Sequence, residues 1–161
     1  MVENKRITVF RFLAEPTHVN FGGKVHGGMA MKWIDQAAYA CASQWSGKYC
    51  VTVSVGSIRF HRPIKVGEVV EVTAKIAHTG NTSMHISVSI KSGPPTATEL
   101  IETNHCIIVF VATDENGKTV SIPKWTPQTD KDKVLEKYAI SLKNCTQRLE
   151  KDLNHALKEC Q

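Results

Sequence analysis

Neither an apolar run long enough to cross a membrane nor a charged leader followed by an apolar stretch occurs in this 161-residue sequence. That sets aside a spanning helix and a secretory signal. Cys-x-x-Cys is missing, and the five cysteines (Cys41, Cys50, Cys106, Cys145, Cys160) are odd in number, which argues against a disulfide framework and a zinc site. Reduced, mostly buried thiols in a cytoplasmic protein are expected. His18, His26, His61, His78, His85, His105 and His155 show no His-x-x-x-His or similar ligand spacing, so no metal is expected. The Gly-x-Ser-x-Gly elbow of serine hydrolases is absent, and no base signature stands beside Cys41 or Cys50 to activate a thiolate. Internal repeats, low-complexity tracts and interleaved aromatic and basic residues are lacking too, and with the last of these goes a nucleic-acid surface.

What is present fits one domain, large enough to bury a core without metal or disulfide support. Lysine and arginine number 20 against 15 acidic residues, a net charge of +5, which weakly favours anionic partners. Ile7 to Leu13 reads as a strand. From Gly28 to about Trp45 the apolar residues Met29, Met31, Trp33, Ile34, Ala37, Ala38, Ala40 and Cys41 leave only a narrow polar stripe of Lys32, Gln36, Tyr39 and Ser43, so this helix must be covered on most sides.

Strand-like alternation follows. Val51, Val53 and Val55 take odd positions and Ile58 and Phe60 even ones, so a β-bulge is expected at Gly56-Ser57. Val70 to Ile76 and Met84 to Ile90 read as half-buried antiparallel strands joined by a Thr79-Gly80-Asn81 turn, and Cys106 to Ala112 as a more buried strand ending in an Asp114–Gly117 turn. A long buried helix with an antiparallel sheet predicts an α+β sheet curled around the helix, a hotdog-like layout. Beyond Pro123 and Pro127, a second helix opens at Thr129-Asp130-Lys131-Asp132 and carries Leu135, Tyr138, Leu142, Cys145, Leu149 and Leu153 at spacings of three and four. At roughly 28 residues it is about 40 Å long, which reads as an extension packing across a subunit or as a surface-lying helix.

The chemistry concentrates between Asn20 and Asp35. A helix starting at Gly27-Gly28 presents unobstructed N–H groups, and those donors with the helix dipole can polarise a carbonyl. Asp35, at the border between polar and apolar faces, can act as a base on water, and burial beside Trp33 or Ile34 would raise its pKa. It can equally be an ordinary partner of Lys32, and Asn20 a loop residue bonding its own turn. Gly28 and Asp35 are about 10 Å apart along one helix, too far to act on one carbonyl. Two such helices packed antiparallel across a dimer would form two equivalent shared sites.

Asn20, Gly27-Gly28 and Asp35, then Val51-Thr52-Val53, the segment from Gly56 through Arg59-Phe60 and Arg62-Pro63-Ile64 to Val66-Gly67-Glu68, and Thr79-Gly80 with Thr82-Ser83-Met84 resemble the acyl-CoA hydrolases of the hotdog superfamily, in the YciA and cytosolic acyl-CoA hydrolase group. Val109 to Ala112 and Ile122-Pro123-Lys124-Trp125-Thr126-Pro127 are similar too. The resemblance implies thioester hydrolysis of acyl-CoA without metal or bound cofactor, in dimers that assemble as hexamers. By position it makes Asp35 the catalytic carboxylate, Asn20 the residue placing water or thioester, and Gly27 and Gly28 the helix-start donors. His26 stands where some members carry Phe and receives no role. Coenzyme A carries phosphates, so a cationic entrance is needed, for which Arg59, His61, Arg62 and Lys65 are the candidates, with Ser83. The expected division is a hotdog domain over 1–128 and a helical extension over 129–161. A non-catalytic acyl-CoA sensor on the same fold is the alternative, and a hydratase is disfavoured because Asp-x-Asn-x-x-His is absent.

Overall fold

Alternating apolar residues make the strands, and their phase decides which side of the sheet becomes the core. The computed structural model describes residues 5–160. Its elements are β1 (Ile7–Leu13), a 3-10 turn (Pro16–His18), α1 (Gly27–Ser46), β2 (Tyr49–Phe60), β3 (Val69–Thr79), β4 (Ser83–Gly93), β5 (Ile101–Thr113) and α2 (Asp130–Glu159). The five strands form one antiparallel sheet in the order β1-β3-β4-β5-β2, leaving β1 and β2 as its edges.

Helix α1 lies against the concave face. It buries Ala30, Trp33, Ile34, Ala37, Ala38, Cys41, Ala42 and Trp45 against Val70, Val72, Ala74 and Ile76 of β3, Met84, Ile86, Val88 and Ile90 of β4 and Cys106, Ile108, Phe110 and Ala112 of β5. The small residues Ala37, Ala38 and Ala42 let helix and sheet approach closely. Gly47, at φ 67°, ends the helix in the left-handed conformation, its N–H donating to Ser43 O. The expected phase slip in β2 is a register shift between Gly56 and Arg59, with Ser57 at φ 54°, and a second shift falls between Thr52 and Ser54.

Thr129 caps α2, its hydroxyl accepting from the Asp132 N–H while Asp132 caps in return. The helix does not stand off its own protomer. Leu135, Ala139 and Leu142 pack on the convex face against Ala77 and Ile107, and a Cβ on Gly56 would meet Leu142 Cδ2 at 2.9 Å, so glycine there admits the helix. From Cys145 the burial fades: Leu149, Leu153 and Leu157 are 63%, 59% and 56% exposed. Among the described residues, no helix is long and apolar enough to cross a membrane.

Candidate active site

The loop before α1 folds back on itself through Asn20. Its Oδ1 accepts the N–H groups of Gly22 (2.9 Å) and Lys24 (3.2 Å), the turn-bonding role open to any asparagine in such a loop. That fixes the carboxamide and leaves its NH2 as a donor. His26 is the N-cap of α1, and its Nδ1 accepts the Gly28 N–H at 3.0 Å. The paired helix-start donors expected from Gly27-Gly28 therefore reduce to one, because the imidazole occupies the second. The Gly27 N–H has no hydrogen-bond partner among the described residues. Glycine at 28 is dictated by the capping ring, since a Cβ there would lie 2.8 Å from His26 Cε1.

Asn20, Lys24 and Gly27 line a half-open cleft of about 340 Å³ with Ala30, Phe60, His61, Arg62, Ile64, Thr103 and Asn104. This is the low end of small-molecule sites, sized for part of a long ligand. Asp35 does not line it. The carboxylate is exposed in the protomer, beyond the reach of the expected burial by Trp33 or Ile34. Its Oδ1 accepts the Thr52 hydroxyl of β2 at 2.6 Å, and no ion pair joins it to Lys32 among the described residues. Thr52 is a functional candidate given no role from the sequence; β2 register, pairing Thr52 with core-facing Phe110, was the signal that could have placed it opposite α1.

The expected cationic entrance is only partly assembled. Lys24 and His61 line the cleft, and an isolated bridge pairs Lys24 with exposed Lys65. Arg62 lines the cleft too, but its guanidinium is paired: Nη2 reaches Glu68 Oε1 at 3.1 Å, and Ser92 donates to Glu68 Oε2 at 2.7 Å. This network satisfies a buried carboxylate. Arg59 pairs with His105 and so shares the convex face with it, while its neighbour Phe60 pairs with Asn104 on the concave one. Ser83 lies by Val53, His85 and Lys143 on the convex side, away from the cleft. Lys24 joins His61 and Arg62 from the loop before α1, outside the Arg59–Lys65 cluster that charge density in the sequence marks.

Asn104 lines the cleft as well, a residue that no motif in the sequence marks. It is 1% exposed, and neither its Oδ1 nor its Nδ2 has a partner among the described residues. Such unmade bonds cost about 1–3 kcal/mol for each group, so this amide is expensive to keep.

Other nucleophiles recede. Burial pushes the Cys41 and Cys106 thiols up to about 12, which leaves them unreactive. Cys50 is buried too, whereas Cys145 and Cys160 are exposed, away from the cleft. Burial lowers His105 despite nearby Glu102, and it lowers His85 to about 4 with help from His78 and Lys143. Both histidines sit on the convex face under α2. Among the described residues, no group of three His, Cys, Asp or Glu side chains is arranged to hold a metal ion.

The family model of the thioesterase superfamily matches residues 22–99. VdlD of Helicobacter pylori is 36% identical over 119 residues, 74% of this chain and 68% of that protein. A Haemophilus influenzae protein named as an uncharacterized acyl-CoA thioester hydrolase is 32% identical over 126 residues, 76% of this chain and 81% of its own. A solved apo-hexameric acyl-CoA thioesterase superposes with a TM-score of 0.87 at 30% identity, covering 92% of this chain and 95% of that one. With the helix cradled in its sheet and sequence identity running through most of both chains, this protein belongs to the thioesterase superfamily and has its hotdog fold.

Proposed function

We propose that this protein is an acyl-CoA thioester hydrolase whose site is shared between two subunits. The observation that carries the reading is the separation of its parts. A free Gly27 N–H and the Asn20 amide face one cleft, while Asp35, anchored by Thr52, lies outside it on the side of β2. Strand β2 is an unpaired sheet edge whose Val53 and Val55 are exposed, and such an edge invites pairing with a second copy. A two-fold axis there sets the two α1 helices side by side and antiparallel, bringing Asp35 of one subunit towards the cleft of the other.

In that arrangement the thioester carbonyl accepts from Gly27 N–H and Asn20 Nδ2, which stabilise the oxyanion as water adds. Asp35 takes the proton from the attacking water. The tetrahedral intermediate collapses with cleavage of the C–S bond, and the Asp35 carboxyl returns its proton to the departing thiolate. The products are a carboxylic acid and free coenzyme A. Water and thioester are the only reactants, so no cofactor is required; coenzyme A enters as part of the substrate. Further support comes from the Staphylococcus aureus acyl-CoA hydrolase, which shares the fold at 22–23% identity and was solved with an asparagine, an aspartate and a threonine each replaced by alanine. Those three residues are separated by fifteen and then seventeen positions, as Asn20, Asp35 and Thr52 are here. The exposed leucines of α2 and the hexameric state of the solved thioesterase favour assembly of dimers into a hexamer, with the end of α2 as a contact between subunits.

Thiol release measured with acetyl-, hexanoyl-, lauroyl- and palmitoyl-CoA tests the activity. Turnover of at least one is expected, and tight binding with no turnover of any would replace the hydrolase by a sensor. The phosphates of coenzyme A are assigned to Lys24, His61 and Lys65. Replacing Lys24 and Lys65 together by alanine should raise KM for acyl-CoA about tenfold and leave KM for the acyl-N-acetylcysteamine thioester, which has no nucleotide, nearly unchanged. Equal effects on both substrates would remove the lysines from the phosphate site.

A further inference from the structure

Resting on the thioester-hydrolase reading, we infer that Asn104 docks the substrate's amide next to the thioester, the cysteamine amide of the pantetheine arm. Three observations meet at this residue. It lies on the concave side of β5, paired with Phe60 and Ile90, and lines the same cleft as Asn20 and Gly27. It is buried to 1% exposure, and its carboxamide oxygen and nitrogen are both unpartnered among the described residues. Its neighbour Thr103 is satisfied, donating to Ile90 O at 3.0 Å, so the unpaired amide is particular to Asn104 and does not come from a locally loose strand.

A carboxamide with a free donor and a free acceptor is complementary to a group offering both, and a secondary amide is the simplest. A carboxylate or phosphate would use only the donor half. In an acyl-CoA, the amide nearest the reacting carbon is joined to sulfur through two methylenes, about 5–6 Å from the carbonyl carbon along an extended chain. With the carbonyl on Gly27 N–H, that amide falls within the cleft that Asn104 lines. Pairing there fixes the sulfur and gives the leaving group a defined direction.

Two small thioesters isolate the contact: acyl-N-acetylcysteamine, which has this amide, and its isostere in which the amide N–H is an ester oxygen. Wild-type kcat/KM should favour the amide by about tenfold or more, because the ester leaves Asn104 Oδ1 without a donor. Asn104→Leu should hydrolyse both with a ratio within about twofold while melting no lower than wild type and keeping the oligomeric state. Asn104→Thr, smaller and still polar, is read in the same way. An unchanged ratio in the variants, or no wild-type preference, would overturn the assignment. So would loss of fold or assembly in both variants, which would make the amide a structural or intersubunit group. If wild-type protein hydrolyses no thioester, the hydrolase reading fails separately. Calorimetric binding of coenzyme A then decides: about tenfold weaker binding by Asn104→Leu sustains the inference, and equal binding ends it.

Discussion

Asp35→Ala is expected to lower kcat by about 10²–10⁴-fold, the usual contribution of a positioned general base, with KM changing little. The base acts only once water attacks, so its loss falls on the transition state and not on substrate binding. Thr52→Val keeps the side-chain volume but removes the 2.6 Å hydrogen bond to Asp35; a smaller fall, about tenfold, is expected because the carboxylate remains but is less well placed. Mixed subunits test the shared site. Asp35→Ala and Asn20→Ala chains, each inactive alone, should recover about a quarter of wild-type activity when combined in equal amounts. Half the dimers are then mixed, and each has one intact site. If recovery is absent although mixed dimers form, Asn20 and Asp35 serve the same protomer and the cross-subunit mechanism fails. If Asp35→Ala retains full turnover, the base lies elsewhere.

The elements of the fold were legible because their patterns are local. Strand β1 has the limits read from its β-branched and aromatic residues, and the change of phase after Val55 marked the irregularity around Ser57. Helix α1, nearly apolar all round, required a covering sheet. What was not legible depends on contacts between distant residues or on competition for one atom. The spacing of Gly27 and Gly28 announces donors but cannot show that His26 turns back and takes one. Arg62 reads as a free cation until Glu68 folds beside it. Arg59 and Phe60 look like one cluster, yet strand alternation sends them to opposite faces, a distinction that lies in the period of two and not in closeness along the chain. Asn104 lies just before the apolar run that defined its strand, and only the pairing of β5 with both neighbours brings it under the start of α1. The first half of α2 found its partner on its own sheet because Gly56 and the small Ala139 let it close in; the apolar stripe alone was equally suited to another subunit.

Arg6→Ala is expected to destabilise the protomer by about 3–5 kcal/mol, the usual cost of stranding one member of a buried ion pair. Arg6 and Asp132 form a salt bridge with side chains 11% and 5% exposed. The arginine Nε also donates to Ile76 O at 3.0 Å, and its guanidinium stacks 4.3 Å over the Trp125 ring. Asp132 Oδ2 meanwhile accepts from the N–H groups of Gln128 and Thr129. One pair thus ties together the segment entering β1, strand β3, the Trp125 crossing and the N-terminus of α2. For a chain of this size the expected fall in melting temperature is roughly 6–20 °C. The pH dependence follows from Asp132, whose carboxyl is held well below the usual carboxylate range by the Arg6 hydrogen bond first, against the opposing effect of burial, with the Gln128 N–H and the arginine charge adding to it. Because the folded pKa is depressed, the stabilisation is fully present above the unfolded value of about 3.9 and is lost as pH falls through the folded one. Urea unfolding should therefore show Asp132→Asn well below wild type at pH 7, with the gap narrowing once the pH drops under about 4. A gap that stays constant from pH 7 to pH 3 would mean that the ion pair contributes through shape alone, and α2 would then be held to the sheet chiefly by Leu135, Ala139 and Leu142.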